Sequence, residues 1–218
     1  MMQKDAFLNL EGNAWFDRNV TALANRSLPG DDPLLTQLIA LNPVTHGAQL
    51  KVLEIGCGDG MRLSWLKNNM NADCYGIEPS LKAVAAACAK GISAQQGTAD
   101  SLPFDNQSFD IVIFGFCLYL CDREDLFRIA SESDRVLRQP GWLGIQDFFS
   151  SAPRAKTYHH RPGLQSYKMD YRKLFDWHPD YECITHKVSH HGEARHTDDP
   201  DEWVAVSVLR KCKIKIDP

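Results

Sequence analysis

The stretch VLEIGCGDG at residues 52–60 decides how this chain is read. The apolar run Lys51–Gly56 leads into glycines at 56, 58 and 60. Met61–Met70 follows, with Leu63, Leu66 and Met70 near helical spacing. The pattern predicts a strand, a tight turn and a helix. Glycine at 56 lets the chain turn, and glycine at 58 lets backbone approach a ligand with no Cβ in the way. The loop then delivers its amides to the N-terminus of the helix. The spacing is GxGxG. A dinucleotide fingerprint, GxGxxG, would need a glycine at 61, where this chain has Met61.

Outward from that loop the chain alternates. Cys74–Glu78 predicts a second strand, stopped by Pro79. Ser80–Lys90 is alanine-rich and helical, closed by Gly91. Ser93–Gly97 is a weak third strand and Phe109–Phe116 a strong buried fourth. Asp122 is expected to cap a helix with Asp125 at its third position, and Leu126, Ile129, Ser133 and Leu137 mark one face. Pro140-Gly141 should end that helix before a fifth strand, Trp142–Phe149. Such alternation with short connections predicts an α/β fold, a parallel sheet covered by helices on both faces. Tyr181–Ser189 and Trp203–Leu209 predict an antiparallel pair added at the sheet edge. Ala14–Leu28 and Pro33–Leu41 predict an N-terminal helical cap.

With 218 residues, 44% hydrophobic and 24% charged, the chain has the balance of one globular unit. Its net charge of −4 argues against binding dominated by phosphate backbones. The longest apolar run, Ile111–Cys121, has eleven residues if Gly115 is counted, and a membrane span needs about 20. The N-terminus has no apolar signal core, so a cytoplasmic protein with no membrane partner is expected. The seven cysteines form no CxxC motif, which favours free thiols over a disulfide framework or zinc cluster.

Two acids complete the pattern. Glu78, ending the second strand, has the chemistry to accept hydrogen bonds from both hydroxyls of a ribose; a helix-capping acid is the alternative. Asp100, in the loop after the third strand, can accept from an adenine amine, or can be an ordinary turn residue. Together with GTADSLPFDNQSFDIVIFGF at 97–116, these segments resemble a class I, Rossmann-like S-adenosylmethionine-dependent methyltransferase of the type 11 kind, from about Leu50 to Phe149. The resemblance implies a seven-stranded, mostly parallel sheet of order 3-2-1-4-5-7-6 with an antiparallel C-terminal strand. It implies S-adenosyl-L-methionine as cofactor and S-adenosyl-L-homocysteine as product. Gly56 and Gly58, with Cys57, would pass beneath the methionine–ribose part, and Glu54 would orient the loop and the cofactor's amino group. Glu78 and Pro79 would meet the ribose. Asp100 would meet the adenine amine, with a backbone amide from Ser101 or Leu102 at the ring. Gly115 and Phe116 would line the methionine moiety. The opening EGNAWFDRN at 11–19 makes Trp15, Phe16, Arg18 and Asn19 candidate lid residues, or an amphipathic helix packing Trp15 and Phe16 inward.

The expected organisation is one unit over 1–218: a cap at 1–48, a cofactor-binding core at 49–150, and an acceptor-side loop with the strand pair at 151–218. The acceptor would be a small molecule, sugar-related or a secondary metabolite, and a second copy of the chain is a candidate partner. GFCLYLCD at 115–122 lacks the Asn-Pro-Pro-Tyr run of enzymes that methylate exocyclic nitrogens. Tyr119, Asp147, Tyr158, His159, His160 and Tyr167 are acceptor-side candidates. Among these, Tyr158, His159 and His160 are the expected catalytic group, a histidine serving as base or both being solvated. Seven of the eight histidines lie in 159–196. His186, His190 and His196 have no clear ligand spacing, so no metal is expected. The alternatives are a methyltransferase-like module without catalysis, a nucleic-acid or protein methyltransferase, and an NAD-type oxidoreductase, the last disfavoured by Met61.

Overall fold

The computed structural model describes residues 2–43, 49–193 and 195–213. The expected cap boundary at residue 48 and the two ends of the expected 1–218 unit lie outside them.

Seven strands form one sheet in the order β3-β2-β1-β4-β5-β9-β8. They are β1 (Leu50–Ile55), β2 (Ala72–Glu78), β3 (Ser93–Gln96), β4 (Phe109–Gly115), β5 (Leu137–Phe148), β8 (Tyr181–His190) and β9 (Trp203–Lys211). The first five pair in parallel, and β9 runs antiparallel to both β5 and β8. This is the order expected, with β9 between β5 and β8. The helices are α1 (Gln3–Ala6), α2 (Gly12–Ala24), α3 (Pro33–Leu41), α4 (Met61–Met70), α5 (Leu81–Ala89) and α6 (Leu126–Val136), with a π-helical turn, Phe7–Glu11, joining α1 to α2. The terminal helices therefore begin earlier than the expected Ala14.

The continuous apolar run in β4 is explained by parity. Successive side chains point to opposite faces. Val112 and Phe114 join Leu53, Ile55, Leu143, Ile145 and α6 in one core. Ile111 and Ile113 join Val52, Leu63, Leu66 and the leucines of α3 in the other. A strand buried on both faces needs both kinds of position to be apolar.

Two expectations change. Helix α6 ends at Val136 and the chain is already extended from Leu137, so Pro140-Gly141 lies within β5 and does not terminate the helix. The ladder to β4 shifts register between Phe109 and Ile111 there, and such irregular stretches tolerate a residue without an N–H. The long connector after β5 also contains an antiparallel ribbon, β6 (Arg154–Thr157) with β7 (Gln165–Lys168). Its polar, largely exposed residues offer no apolar alternation to read in advance.

Beneath the glycine loop, the buried Arg62 of α4 donates from Nε to Asp32 (2.8 Å), from Nη1 to Glu54, and from Nη2 to Gln146 (2.9 Å). Burial raises the Asp32 carboxyl, but the charge and hydrogen bond of Arg62, the Leu35 amide and the Arg26 charge together outweigh it and hold Asp32 below the usual range. One side chain thus ties α3, β1 and β5 to the helix that follows the loop. Replacing Arg62 with Met would leave Glu54 buried without its cation and Asp32 with only Arg26, at 3.0 Å. The expected loss is about 3–5 kcal/mol, read as a lower urea midpoint. The loss should shrink in acid, where protonation removes the uncompensated charge.

Candidate functional site

A cleft of about 830 Å³, measured out to its open mouth, lies at the carboxyl ends of β1, β2 and β4. The core supplies Gly56, Gly58, Glu78, Pro79, Asp100, Gly115 and Phe116, and the N-terminal segment supplies Lys4, Phe7, Gly12 and Trp15. Gly56 and Cys57 both donate to the Ile77 carbonyl, at 2.8 and 3.2 Å, which fastens the loop to β2. Gly58 has φ +54°, and a Cβ there would meet no protein atom within 4 Å.

Glu78 is buried at the end of β2. Gly58 donates to its Oε2 and the Ser80 amide to its Oε1, each at 3.0 Å. Burial pushes the carboxyl up to about 7 despite these two donors. Each oxygen keeps lone-pair capacity toward the cleft, which suits a vicinal diol. The open space above Gly58 and this half-used carboxylate fit a nucleoside-type ligand.

The other end of the cleft differs from expectation. Lys4 Nζ sits between Asp100 (2.6 Å) and Asp125 (2.7 Å). Burial raises the Asp100 carboxyl, and the Lys4 hydrogen bond and charge together with the other hydrogen bonds to this carboxylate more than reverse this. The Leu102 amide donates to Glu132 at 2.8 Å, and Ser101 is exposed and off the cleft wall. Asp100 is therefore in place, but the expected amide from Leu102 is already engaged.

Lys4 arrives there because of Asp122. Its carboxylate makes no cap for the turn it precedes. It accepts instead from the amides of Gln3 and Lys4, both at 2.9 Å, capping α1 across 118–119 residues of chain. The Gln3 side chain adds bonds to the carbonyls of Leu120 and Gln165 and accepts from the Gln165 amide. Of the candidate lid residues, Trp15 lines the cleft and Phe16 is buried. Arg18 is exposed and pairs with Glu11, and Asn19 bonds the Trp15 carbonyl. Lys4, Phe7 and Gly12 were missed because no motif marks them; contact across the fold makes them wall residues.

Other candidates are not where the motifs put them. Glu54 faces Arg62 beneath the sheet end and is not in the cleft wall. It acts through Gly115, whose added Cβ would meet Glu54 Oε1 at 2.6 Å and Arg62 at 2.7 Å. The Cys57 thiol is buried under Gly76, away from the cleft, and burial raises its pKa. Tyr158 is buried against Phe7 and Leu164, its hydroxyl 3.2 Å from Glu11 and from Arg18. His159 and His160 stack on each other at 3.8 Å between ring centroids, exposed and outside the cleft wall. The turn they occupy projects from the β6–β7 ribbon. Asp147 is buried and accepts from the amides of Leu118, Tyr119 and Phe148, fixing the turn after β4. Tyr167 packs under the Arg123 guanidinium, 4.1 Å above its ring. The histidine that does approach the end of β4 is His191, with its ring 5.7 Å from Phe116. Sequence position gave no signal for it, since β8 returns it from the far edge of the sheet. Among the described residues no three His, Cys, Asp or Glu side chains gather as metal ligands, and no helix is long and apolar enough to cross a membrane.

Residues 53–145 match the family profile described as a methyltransferase domain. Over that stretch the chain is similar to methyltransferase domains. An uncharacterized methyltransferase of Bacillus subtilis is 32% identical over 111 residues, 47% of this chain and 42% of that protein. A phthiotriol/phenolphthiotriol dimycocerosates methyltransferase of Mycobacterium leprae is 32% identical over 102 residues, 44% of this chain and 37% of that one. The chain spans less than half the length of these curated relatives. A Burkholderia thailandensis 1,6-didemethyltoxoflavin-N1-methyltransferase, solved with its acceptor and S-adenosylhomocysteine, shares the fold with a TM-score of 0.70 at 14% identity. That match covers 96% of this chain and 89% of the other. A Methanosarcina mazei methyltransferase structure gives 0.60 at 16% identity over 80% and 97%.

Asp122→Ala should release α1. Losing such a cap costs about 1–2 kcal/mol, so amide exchange over residues 3–11 should speed by roughly 5–30-fold while β1 and β4 stay protected. Unchanged exchange in mass spectrometry would show that the segment is held by packing alone.

Proposed function

We propose that the chain transfers a methyl group from S-adenosylmethionine to a small-molecule acceptor. The observation that carries this reading is the pairing of Gly58 with Glu78: one open glycine and one buried acid, joined by a hydrogen bond, facing the same cleft. When bound, the cofactor supplies a sulfonium-borne methyl already reactive enough for in-line displacement, so positioning is the protein's main task. Glu78 would hold the ribose hydroxyls, and Gly56 and Gly58 would lie beneath the chain that follows. Asp100 and Lys4 would face the base, with Pro79 and Phe7 against its plane. Gly115 and Phe116 would border the reacting end. Phe116 has φ +52°, a backbone rarely adopted by a residue with a side chain, and such strain concentrates at functional positions. The N-terminal wall would exclude water from the reacting centre. Tyr158, His159 and His160 are left out of the chemistry, because the Tyr158 hydroxyl is committed and the two histidines stack on each other, exposed, at the turn of the β6–β7 ribbon.

Gly58→Ala should keep the fold, since left-handed alanine costs roughly 1–2 kcal/mol. Its methyl group would enter the space the ligand needs, so affinity for S-adenosylhomocysteine should fall by about tenfold or more, equivalent to about 1.4 kcal/mol. Titration calorimetry showing unaltered affinity would remove the loop from the binding site.

The Glu78 carboxyl sits at about 7 without ligand. Hydroxyl donors favour its ionised form, so binding lowers that value and releases protons. Affinity should be highest above pH 7 and weaken by up to about tenfold per unit below it, the limit for one linked proton. Glu78→Gln should flatten this dependence. Calorimetry in buffers of different ionisation enthalpy counts the released proton directly.

A further inference from the structure

Phe116, in the cleft wall, is also the first member of a cluster of rings that otherwise lies outside the cleft's own lining. Phe148, at the end of β5, lies 5.4 Å from Phe116, 4.9 Å from Tyr119 and 4.9 Å from His191. The Trp15 side chain lies near the Tyr119 hydroxyl and itself lines the cleft. All of these rings are at least partly exposed. A soluble chain seldom leaves so many aromatic faces open in one place without a ligand or partner for them. At the rim, Lys168 Nζ stands 5.1 Å over the Phe148 ring and donates to the Asp201 carbonyl. The Asp201 carboxylate is taken by Lys156 at 2.8 Å, and Lys168 has no carboxylate partner among the described residues.

We propose that this ring cluster is the methyl-acceptor subsite for a flat hydroxyaryl carboxylate, with Lys168 pairing the carboxylate and His191 removing the hydroxyl proton. The inference rests on the methyl-transfer reading and names its substrate class. Aromatic faces select a planar body, and stacking them beside Phe116 brings that body to the reacting end of the cleft. The Lys168 ammonium feels Asp201, Glu202 and Asp199 but has none of them at ion-pair distance, so it can pair an incoming anion. The hydroxyl is phenolic because an imidazole can deprotonate a group of pKa near 10, whereas an aliphatic alcohol is far too weak an acid. In the step itself, the proton passes to the His191 imidazole as the acceptor oxygen bonds to the methyl carbon. The carbon–sulfur bond breaks, and its electron pair stays on sulfur, leaving a neutral thioether and a methoxyarene. The groups facing His191 are Glu202 from the turn before β9, Lys168 from β7 and His190, the last residue of β8. Burial against the rings, aided by Lys168 and His190, lowers its pKa, and Glu202 opposes this. The imidazole is therefore neutral, the form a base requires, at pH 7.

The test begins with S-adenosylhomocysteine-loaded protein and 3-hydroxy-2-naphthoate, its methyl ester, and cyclohexanol as probes, read by calorimetry. Binding should follow that order. Methylation of the naphthoate, read as S-adenosylhomocysteine release, should show a rising limb centred below pH 6.5. Lys168→Met should raise the naphthoate dissociation constant about tenfold or more and leave the ester unaffected, with Lys168→Arg restoring the preference. His191→Gln should lower kcat about 10²-fold or more, leave binding of both ligands in place, and abolish the limb. If the loaded protein binds neither aromatic probe, or prefers the ester, the acceptor assignment is overturned while methyl transfer stands. If His191→Gln keeps both kcat and pH profile, the base assignment is overturned. If the wild-type protein does not bind S-adenosylhomocysteine, the methyl-transfer reading falls and takes this proposal with it.

Discussion

The Arg62 guanidinium is the point on which the rest of the molecule is hung. Its donors reach Asp32 at the start of α3, one oxygen of Glu54 in β1 and Gln146 in β5. Burying ions is expensive, so the arrangement is stable only while all partners are present. That requirement fixes the cap helix, the first strand and the fifth strand relative to the helix that follows the glycine loop. It also explains Gly115. The carboxyl end of β4 passes over the Glu54–Arg62 pair so closely that a side chain there would collide with both. The acid of the first motif thus shapes the cleft from below, at one remove from any ligand.

The upper boundary of the cleft is set by a second long-range constraint, the capping of α1 by Asp122. A helix of four residues followed by a π-helical turn has little stability of its own. Carboxylate acceptors for its first amides, the Gln3 bonds to two separate loops, and the Lys4 bridge hold it in place. The consequence is chemical as well as mechanical. An ammonium group is inserted at the acid that the family pattern reserves for the base of the cofactor, so the two ends of the cleft differ in character. One is a lone buried carboxylate with spare lone pairs; the other is a bridged cation between two acids.

The sequence determined the sheet. A short apolar run ending in GxGxG, an acid closing the next run, and a four-residue apolar stretch in β4 with no polar position are local signals. Each is tied to backbone geometry or to burial on both faces. They were enough for the alternation of strands and helices and, through the resemblance they carry, for the strand order and the expectation of Gly56, Gly58, Glu78, Pro79, Asp100, Gly115 and Phe116 at one site, and all seven line the same cleft. Trp15 was also legible, as an aromatic ahead of the first strand.

What only the tertiary structure decided was which side chains meet across the sheet. Glu54 turned out to face Arg62 because parity and the start of α4 place them together under the loop. Leu102 lost its free amide to Glu132, which the α6 register brings alongside. The histidine doublet at 159–160 was displaced by the β6–β7 ribbon, whose polar residues carry no periodic signal. His191 reached the end of β4 only because β8 and β9 fold back antiparallel against β5. Local pattern encodes a residue's face and the turn it needs. It does not encode partners contributed by elements a hundred residues away, and on those the acceptor side of this site depends.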